Sequence, residues 1–162
     1  MTSHASPHPS RVPTWLGLVP FAAAVVVVAV VGGLAASSSA ATYRDLDLPP
    51  FAPPSWLFGP VWTVLYVMIA VAGWLAWRAG AGPAALAAWV VQLLLNLAWT
   101  PLFFAADRYG WALVDILALL VAIGVTIALV ARRSPVAAWL LVPYAAWVAF
   151  ATALNFAIVV LN

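Results

Sequence analysis

Residues 79–106 read AGAGPAALAAWVVQLLLNLAWTPLFFAA, and no Asp, Glu, Lys or Arg falls among them. At ~1.5 Å rise per residue, a helix over this run outreaches the ~30 Å hydrocarbon layer of a bilayer. Apolar residues occupy every side of such a helix, and its two amides, Gln92 and Asn96, are too sparse to form a wet face. The run therefore predicts a transmembrane helix. The same pattern extends outward in both directions: uncharged stretches cover 12–43, 48–77 and 134–162, and 109–131 is interrupted only by Asp115. Barrel strands would show ~10-residue segments of alternating polarity, and none of these runs alternates. The expected fold is an all-α integral membrane protein, a single five-helix transmembrane bundle over 14–162. Its spans are expected at about 15–37, 55–77, 84–104, 109–130 and 135–161, after a disordered polar tail, 1–13, containing Pro7, Pro9 and Pro13.

Composition agrees with a solute for lipid. Of 162 residues 67% are hydrophobic and 6% charged, with a mean hydropathy of +1.12. Ten charges cannot solvate a surface of this size. The pI near 9.5 comes from a net charge of only +2, and no basic cluster exceeds Arg132-Arg133, which excludes nucleic acid as a partner. With no cysteine there is neither a disulfide framework nor a thiolate site. Both histidines, His4 and His8, lie in the tail, so no metal or other cofactor is expected in the membrane body. Ser37-Ser38-Ser39-Ala40 resembles a cleavage site, but the preceding apolar stretch exceeds a ~7–15-residue signal core and is read as the first span.

Arginine sets the expected orientation. Arg11, Arg78, Arg132 and Arg133 fall on one side with no acid, whereas Arg44 and Arg108 share the other with Asp45, Asp47 and Asp107. The positive-inside rule then places the N-terminus in the cytoplasm and the 38–54 loop and C-terminus outward. Pro49-Pro50-Phe51-Ala52-Pro53-Pro54 must be extended, because proline lacks a donor and restricts the residue before it. This loop is expected to lie over one mouth of the bundle. The other three links are short, so successive helices are expected to be antiparallel neighbours.

Ten tryptophans are the most unusual feature. Trp15, Trp56, Trp77, Trp111 and Trp139 fall near expected helix ends, as an interfacial belt requires. Trp62, Trp99 and Trp147 lie deeper. Trp62 and Tyr66 are at i, i+4; Trp89, Gln92, Asn96 and Trp99 form one stripe; Tyr144, Trp147, Ala151 and Asn155 form another. An unpaired amide in lipid costs several kcal/mol, so Gln92, Asn96 and Asn155 should point inward. They serve either as glue between helices, about 0.6–2 kcal/mol each, or as the few convergent polar groups of a mostly apolar ligand cavity. Asp115, about one turn into the fourth span, is expected to reach water or pair with Arg108. Pro101 and Pro143 interrupt the third and fifth spans, and Ala84-x-x-x-Ala88 offers a small-residue face for a second bundle.

Five motifs occur in order: Pro53-Pro54-Ser55-Trp56; Gly59-Pro60-Val61-Trp62-Thr63-Val64-Leu65-Tyr66; Gln92 to Phe104, with Asn96-Leu97-Ala98-Trp99-Thr100-Pro101 at its centre; Trp111-Ala112-Leu113-Val114-Asp115; and Pro143 to Asn155. Together they resemble the tryptophan-rich sensory protein/translocator protein family, over about residues 15–162. The resemblance implies a homodimer of five-helix bundles with a ligand pocket lidded by the loop between helices one and two. It implies porphyrin-type ligands in bacterial members, bound, regulated or transported, and sterols in animal ones. Carried over, the pocket would use Trp62, Tyr66, Asn96, Trp99, Trp147, Ala151 and Asn155, with Tyr43, Arg44, Phe51 and Pro53 in the lid. The tryptophans matching Trp62 and Trp147 have in some members been linked to light- and oxygen-dependent porphyrin breakdown, an enzymatic alternative. This loop departs from the family in carrying Phe51 for a common tryptophan and no lysine.

Overall fold

In hydrocarbon every backbone N–H and C=O must be satisfied within its own segment, and a helix is the local way to do so. The structure, a computed structural model, describes residues 14–36, 43 and 45–162; the expected tail 1–13 and Arg44 lie outside them. A 3-10 turn, Thr14–Leu18, leads into α1 (Val19–Ala35), and a second, Ser55–Leu57, leads into α2 (Phe58–Arg78). Three further helices follow, α3 (Gly82–Phe104), α4 (Tyr109–Ala131) and α5 (Pro135–Leu161). All five are long and apolar enough to cross a membrane, and no strand occurs among the described residues. The first span begins differently from its expectation. Its opening residues are 3-10, and Pro20, which has no N–H to offer, sits in the first turn of α1 where none is needed.

The links stop the helices by named devices. After α2, Gly80 takes φ 67°, its N–H donates to the Trp77 carbonyl at 3.0 Å, and the Ala81 N–H donates to the Ala76 carbonyl at 3.0 Å. These are the two bonds of a Schellman end, which needs a residue tolerant of the left-handed region. Between α3 and α4 the left-handed residue is Asp107, φ 50°. At α5 the Ser134 hydroxyl caps the helix, accepting from the Ala137 N–H at 3.3 Å, and Pro135 takes the first helical position. Pro101 and Pro143 lie within continuous helices.

Helix neighbours follow packing more than chain order. Around the bundle the order is α1, α2, α5, α4, α3 and back to α1. Although α2 and α3 are joined by the shortest kind of link, they touch much less than α3 does α4, because α1 packs against both. Where the three converge, Gly73 of α2 lets the Trp89 indole of α3 and Phe21 of α1 meet. A Cβ on Gly73 would lie 2.6 Å from Trp89 and 2.8 Å from Phe21, whose rings are edge to face at 5.2 Å. Ala72, Ala76, Ala85, Ala112 and Ala137 are almost fully buried. Without a hydrophobic drive between helices in lipid, small residues that permit close approach are what bring the backbones together.

The described part of the lid is tied down at three places. The Tyr43 hydroxyl donates to the Pro53 carbonyl at 3.1 Å, and its buried ring packs edge-on to Phe58 at 5.5 Å. Burial pushes that hydroxyl above the usual tyrosine range, so it stays a donor at neutral pH. Phe51 lies edge to face with Phe150 of α5 at 6.3 Å. Asn162 clasps the loop backbone at Asp47, its Oδ1 accepting from the Asp47 N–H at 3.0 Å and its Nδ2 donating to the Asp47 carbonyl at 3.2 Å. The loop thus covers the end of the bundle at which α2 begins and α3 and α5 finish.

Candidate ligand site

Gln92, Asn96 and Asn155 all turn inward, 1%, 3% and 1% exposed. The two asparagines are spoken for by neighbouring helices. The Tyr66 hydroxyl donates to Asn96 Oδ1 at 3.1 Å, and Asn96 Nδ2 donates to the Tyr144 hydroxyl at 3.2 Å, joining α2, α3 and α5. One turn nearer the lid, Trp99 Nε1 donates to Asn155 Oδ1 at 3.2 Å, while Asn155 Nδ2 donates to the Tyr109 carbonyl at 3.1 Å, joining α3, α5 and α4. These amides act as interhelical glue. Gln92 donates only to the carbonyl of Trp89 on its own helix at 2.8 Å, and its Oε1 is buried without a partner.

Around this frame the aromatic residues form a wall. Trp62 leans on Tyr66 at 5.3 Å and meets Tyr144 edge-on at 6.2 Å; Trp99 stacks on Phe103 at 5.1 Å; Trp147 meets Phe58 at 6.0 Å and Phe150 at 5.5 Å. On one side of the wall opens a cavity of about 340 Å³. It is lined by Ala29, Gly32 and Gly33 of α1 and Ala36 just past its end, by Phe58, Gly59, Trp62, Thr63 and Tyr66 of α2, and by Trp99, Thr100 and Phe104 of α3, with Tyr43 and Ser55 at the lid end. On the other side two voids of about 10 and 20 Å³ remain, one lined by Trp62, Asn96, Trp99, Trp147 and Ala151, the other by Trp99, Ala151 and Asn155 among others. Voids of this size have room for about one water.

The sequence-derived site residues therefore divide. Trp62, Tyr66, Trp99 and the lid residue Tyr43 line the open cavity; Asn96, Trp147, Ala151 and Asn155 face the closed voids behind it. Phe51 and Pro53 belong to the lid but do not line the cavity. Helix α1, which holds none of the site residues expected from the sequence, supplies one wall, and α5 contributes no residue to the open space. The lining residues missed by sequence reasoning are Ser55, Phe58, Thr63, Thr100 and Phe104 and, most informatively, the small ones. Gly33 and Gly59 border the cavity with nothing within 4 Å of where a Cβ would stand, and at Gly32 a Cβ would come within 3.6 Å of Thr100 Oγ1. The Gly32-Gly33 pair in an otherwise valine-rich helix was the available signal. Polar groups at the cavity are few: the hydroxyls of Tyr66 and Thr100, those of Tyr43 and Ser55 at the lid end, and that of Thr63, which donates to the Gly59 carbonyl at 2.9 Å. No group of His, Cys, Asp or Glu able to hold a metal occurs among the described residues.

Asp115 Oδ2 is buried without a hydrogen-bond partner, so the expected reach to Arg108 is not made by that oxygen. The five belt tryptophans, Trp15, Trp56, Trp77, Trp111 and Trp139, all stand exposed on the bundle's outside, as an interfacial belt requires.

Known proteins share this plan. The profile of the TspO/MBR family matches residues 21–161. The tryptophan-rich protein TspO of Archaeoglobus fulgidus is 43% identical over 122 residues, 74% of this chain and 79% of its own length. The human translocator protein is 41% identical over 121 residues, 72% of each chain, and the protein CrtK of Rhodobacter capsulatus 32% identical over 126 residues, 75% of this chain and 79% of its own. A five-helix bundle with its tryptophans at these positions, matched along nearly its whole described length, is an integral membrane protein of the TspO/MBR family.

Proposed function

We propose that the protein is a membrane receptor for flat, largely apolar ligands of the porphyrin class, bound between α1, α2 and α3 beneath the lid. The observation that supports this reading most is the cavity wall: Trp62 and Trp99 border a space of about 340 Å³ that is otherwise lined by small residues, phenylalanines and a few hydroxyl-bearing side chains. Aromatic faces favour stacking with a macrocycle, and a small number of hydroxyls suits orienting its polar edge. The volume lies at the lower end of the ~300–1,000 Å³ of small-molecule pockets. A tetrapyrrole therefore inserts one edge and leaves the other in the glycine-lined gap between Gly33 and Gly59, its carboxylates toward the lid. Binding in this mode serves sensing or carriage of the ligand. On the arginine distribution the lid faces outward, and two bundles associate as a dimer.

Protoporphyrin IX titrated into the protein in nanodiscs, read by quenching of tryptophan fluorescence, tests the reading. Trp62→Leu, which removes an aromatic face from the cavity wall, should weaken binding roughly 2- to 12-fold, the worth of one lost stacking contact of about 0.5–1.5 kcal/mol. Trp139→Phe, on the outer belt, should leave it unchanged. Equal affinity in all three proteins would remove the cavity from consideration.

A further inference from the structure

A second concave surface lies away from the ligand cavity, where the α3–α4 link meets the end of α5. It is a shallow groove of about 460 Å³, lined by Asp107 and Arg108 of the link, by Tyr109, Gly110, Trp111 and Val114 of α4, and by Val159 and Asn162 at the end of α5. The two charges stand on a fixed support. The Arg108 N–H donates to the Leu102 carbonyl at 2.9 Å and its carbonyl accepts from the Ala112 N–H at 2.8 Å, while Asp107 Oδ1 accepts from the Tyr109 hydroxyl at 3.0 Å. Both charged side chains are exposed. Trp111 is 67% exposed and Val114 58% exposed, so the groove continues from the charged link onto the lipid-facing side of α4. Val114 lies about 7 Å along the helix axis from Tyr109. Along α4, the charged link, the Trp111 indole and Val114 follow in order the layers of one leaflet.

We propose that this groove is a binding site for a phospholipid whose headgroup carries both a phosphate and a primary ammonium, the phosphatidylethanolamine class. Its phosphate lies on the Arg108 guanidinium, its ammonium on the Asp107 carboxylate, and one acyl chain runs down α4 past Trp111 and Val114. Charge complementarity selects this occupant. An anionic lipid would satisfy Arg108 but meet Asp107 with no cation between them, and a choline headgroup has no N–H to donate to the carboxylate. Tyr109 already takes one Asp107 oxygen, which leaves the other for the ammonium.

Nanodiscs containing equal parts dioleoyl phosphatidylethanolamine, -choline and -glycerol, followed by mild detergent release and native mass spectrometry, read which lipid stays bound. Phosphatidylethanolamine should be retained at about one per chain and in excess over the other two. Arg108→Gln should lower its retention roughly fivefold, the worth of one interfacial charge. Asp107→Asn keeps a residue that tolerates positive φ and an oxygen for Tyr109, so the link survives. That variant should abolish the preference over phosphatidylglycerol while leaving total retention near normal. Equal retention of the three lipids, a preference for phosphatidylglycerol in the unaltered protein, or indifference to both substitutions would overturn the proposal.

Discussion

Replacing Gly73 with alanine isolates the contact that seats α1 against its neighbours. Three terms act. Removing a helical glycine is favourable by about 0.8–1.0 kcal/mol. Against this, the new methyl would stand 2.6 Å from Trp89 Cε2, 2.7 Å from its Nε1 and 2.8 Å from Phe21 Cδ1. Overpacking of this kind costs about 1–3 kcal/mol. The ring that must yield is also the one whose Nε1 donates to the Ile69 carbonyl at 3.0 Å. A buried donor left without its acceptor costs a further ~1–3 kcal/mol. The unfavourable terms win, for a net loss of about 1–5 kcal/mol. Gly124→Ala is the internal control, since Gly124 is helical, faces outward and has nothing within 4 Å of a Cβ. It keeps the first term and lacks the other two. Equilibrium unfolding in mixed micelles, followed by far-UV circular dichroism, should separate the two variants by at least about 2 kcal/mol, with Gly73→Ala the weaker. A difference below about 0.5 kcal/mol, the additivity error of independent sites, would refute the geometry at the α1–α2–α3 junction.

Asn96→Leu keeps the apolar volume but removes the group that accepts from Tyr66 and donates to Tyr144. Two membrane hydrogen bonds at ~0.6–1.7 kcal/mol each set a loss of about 1–3 kcal/mol, and a Tyr66→Phe background should reduce that loss, because one of the two bonds is already gone. The lid should loosen in alkali. Burial raises the Tyr43 hydroxyl above the usual value near 10. Its bond to Pro53 is therefore fully present below about pH 10 and is lost as pH rises through the folded-state value. Proteolysis of the 43–54 loop should accelerate over that range, and in Tyr43→Phe the rate should already be high at neutral pH with no alkaline step.

The spans were legible because their signal is chemical and local: in residues 79–106 and its counterparts, length and the absence of charge decide the outcome without any knowledge of neighbours. The inward amides were legible for the same reason, since Gln92, Asn96 and Asn155 had no other place to go. Which helices adjoin was not. Chain order suggested α2 beside α3, whereas packing inserts α1 against both, and that depends on the fit of Phe21 and Trp89 onto Gly73, residues far apart in sequence. The cavity's position inherits this gap. A stripe such as Trp89, Gln92, Asn96, Trp99 says which face of α3 is buried, yet Trp99 ends up bordering open space while Asn96 is locked in hydrogen bonds. Periodicity cannot distinguish a side chain that fills the bundle from one that lines a hole in it.

That distinction bears on what it would take to widen the cavity. Helices α2, α3, α4 and α5 are cross-linked by the Tyr66–Asn96–Tyr144 and Trp99–Asn155–Tyr109 bonds, so parting them exposes buried polar groups to lipid. For α1 no side-chain hydrogen bond to another helix occurs among the described residues, and only 17% of its most apolar stretch is buried, against 28% in each of the other four spans. It holds its place through Phe21, Val25 and Val28 near its start and middle, while Gly32 and Gly33 near its end face the cavity with no side chain to interlock. Tilting that end outward costs dispersion contacts that lipid tails replace almost in full, because lipid is as apolar as the surface it would cover. Tilting α1 is therefore a less costly way to widen the cavity than parting the other four helices, and the tightest contact it would strain is the Gly73 junction.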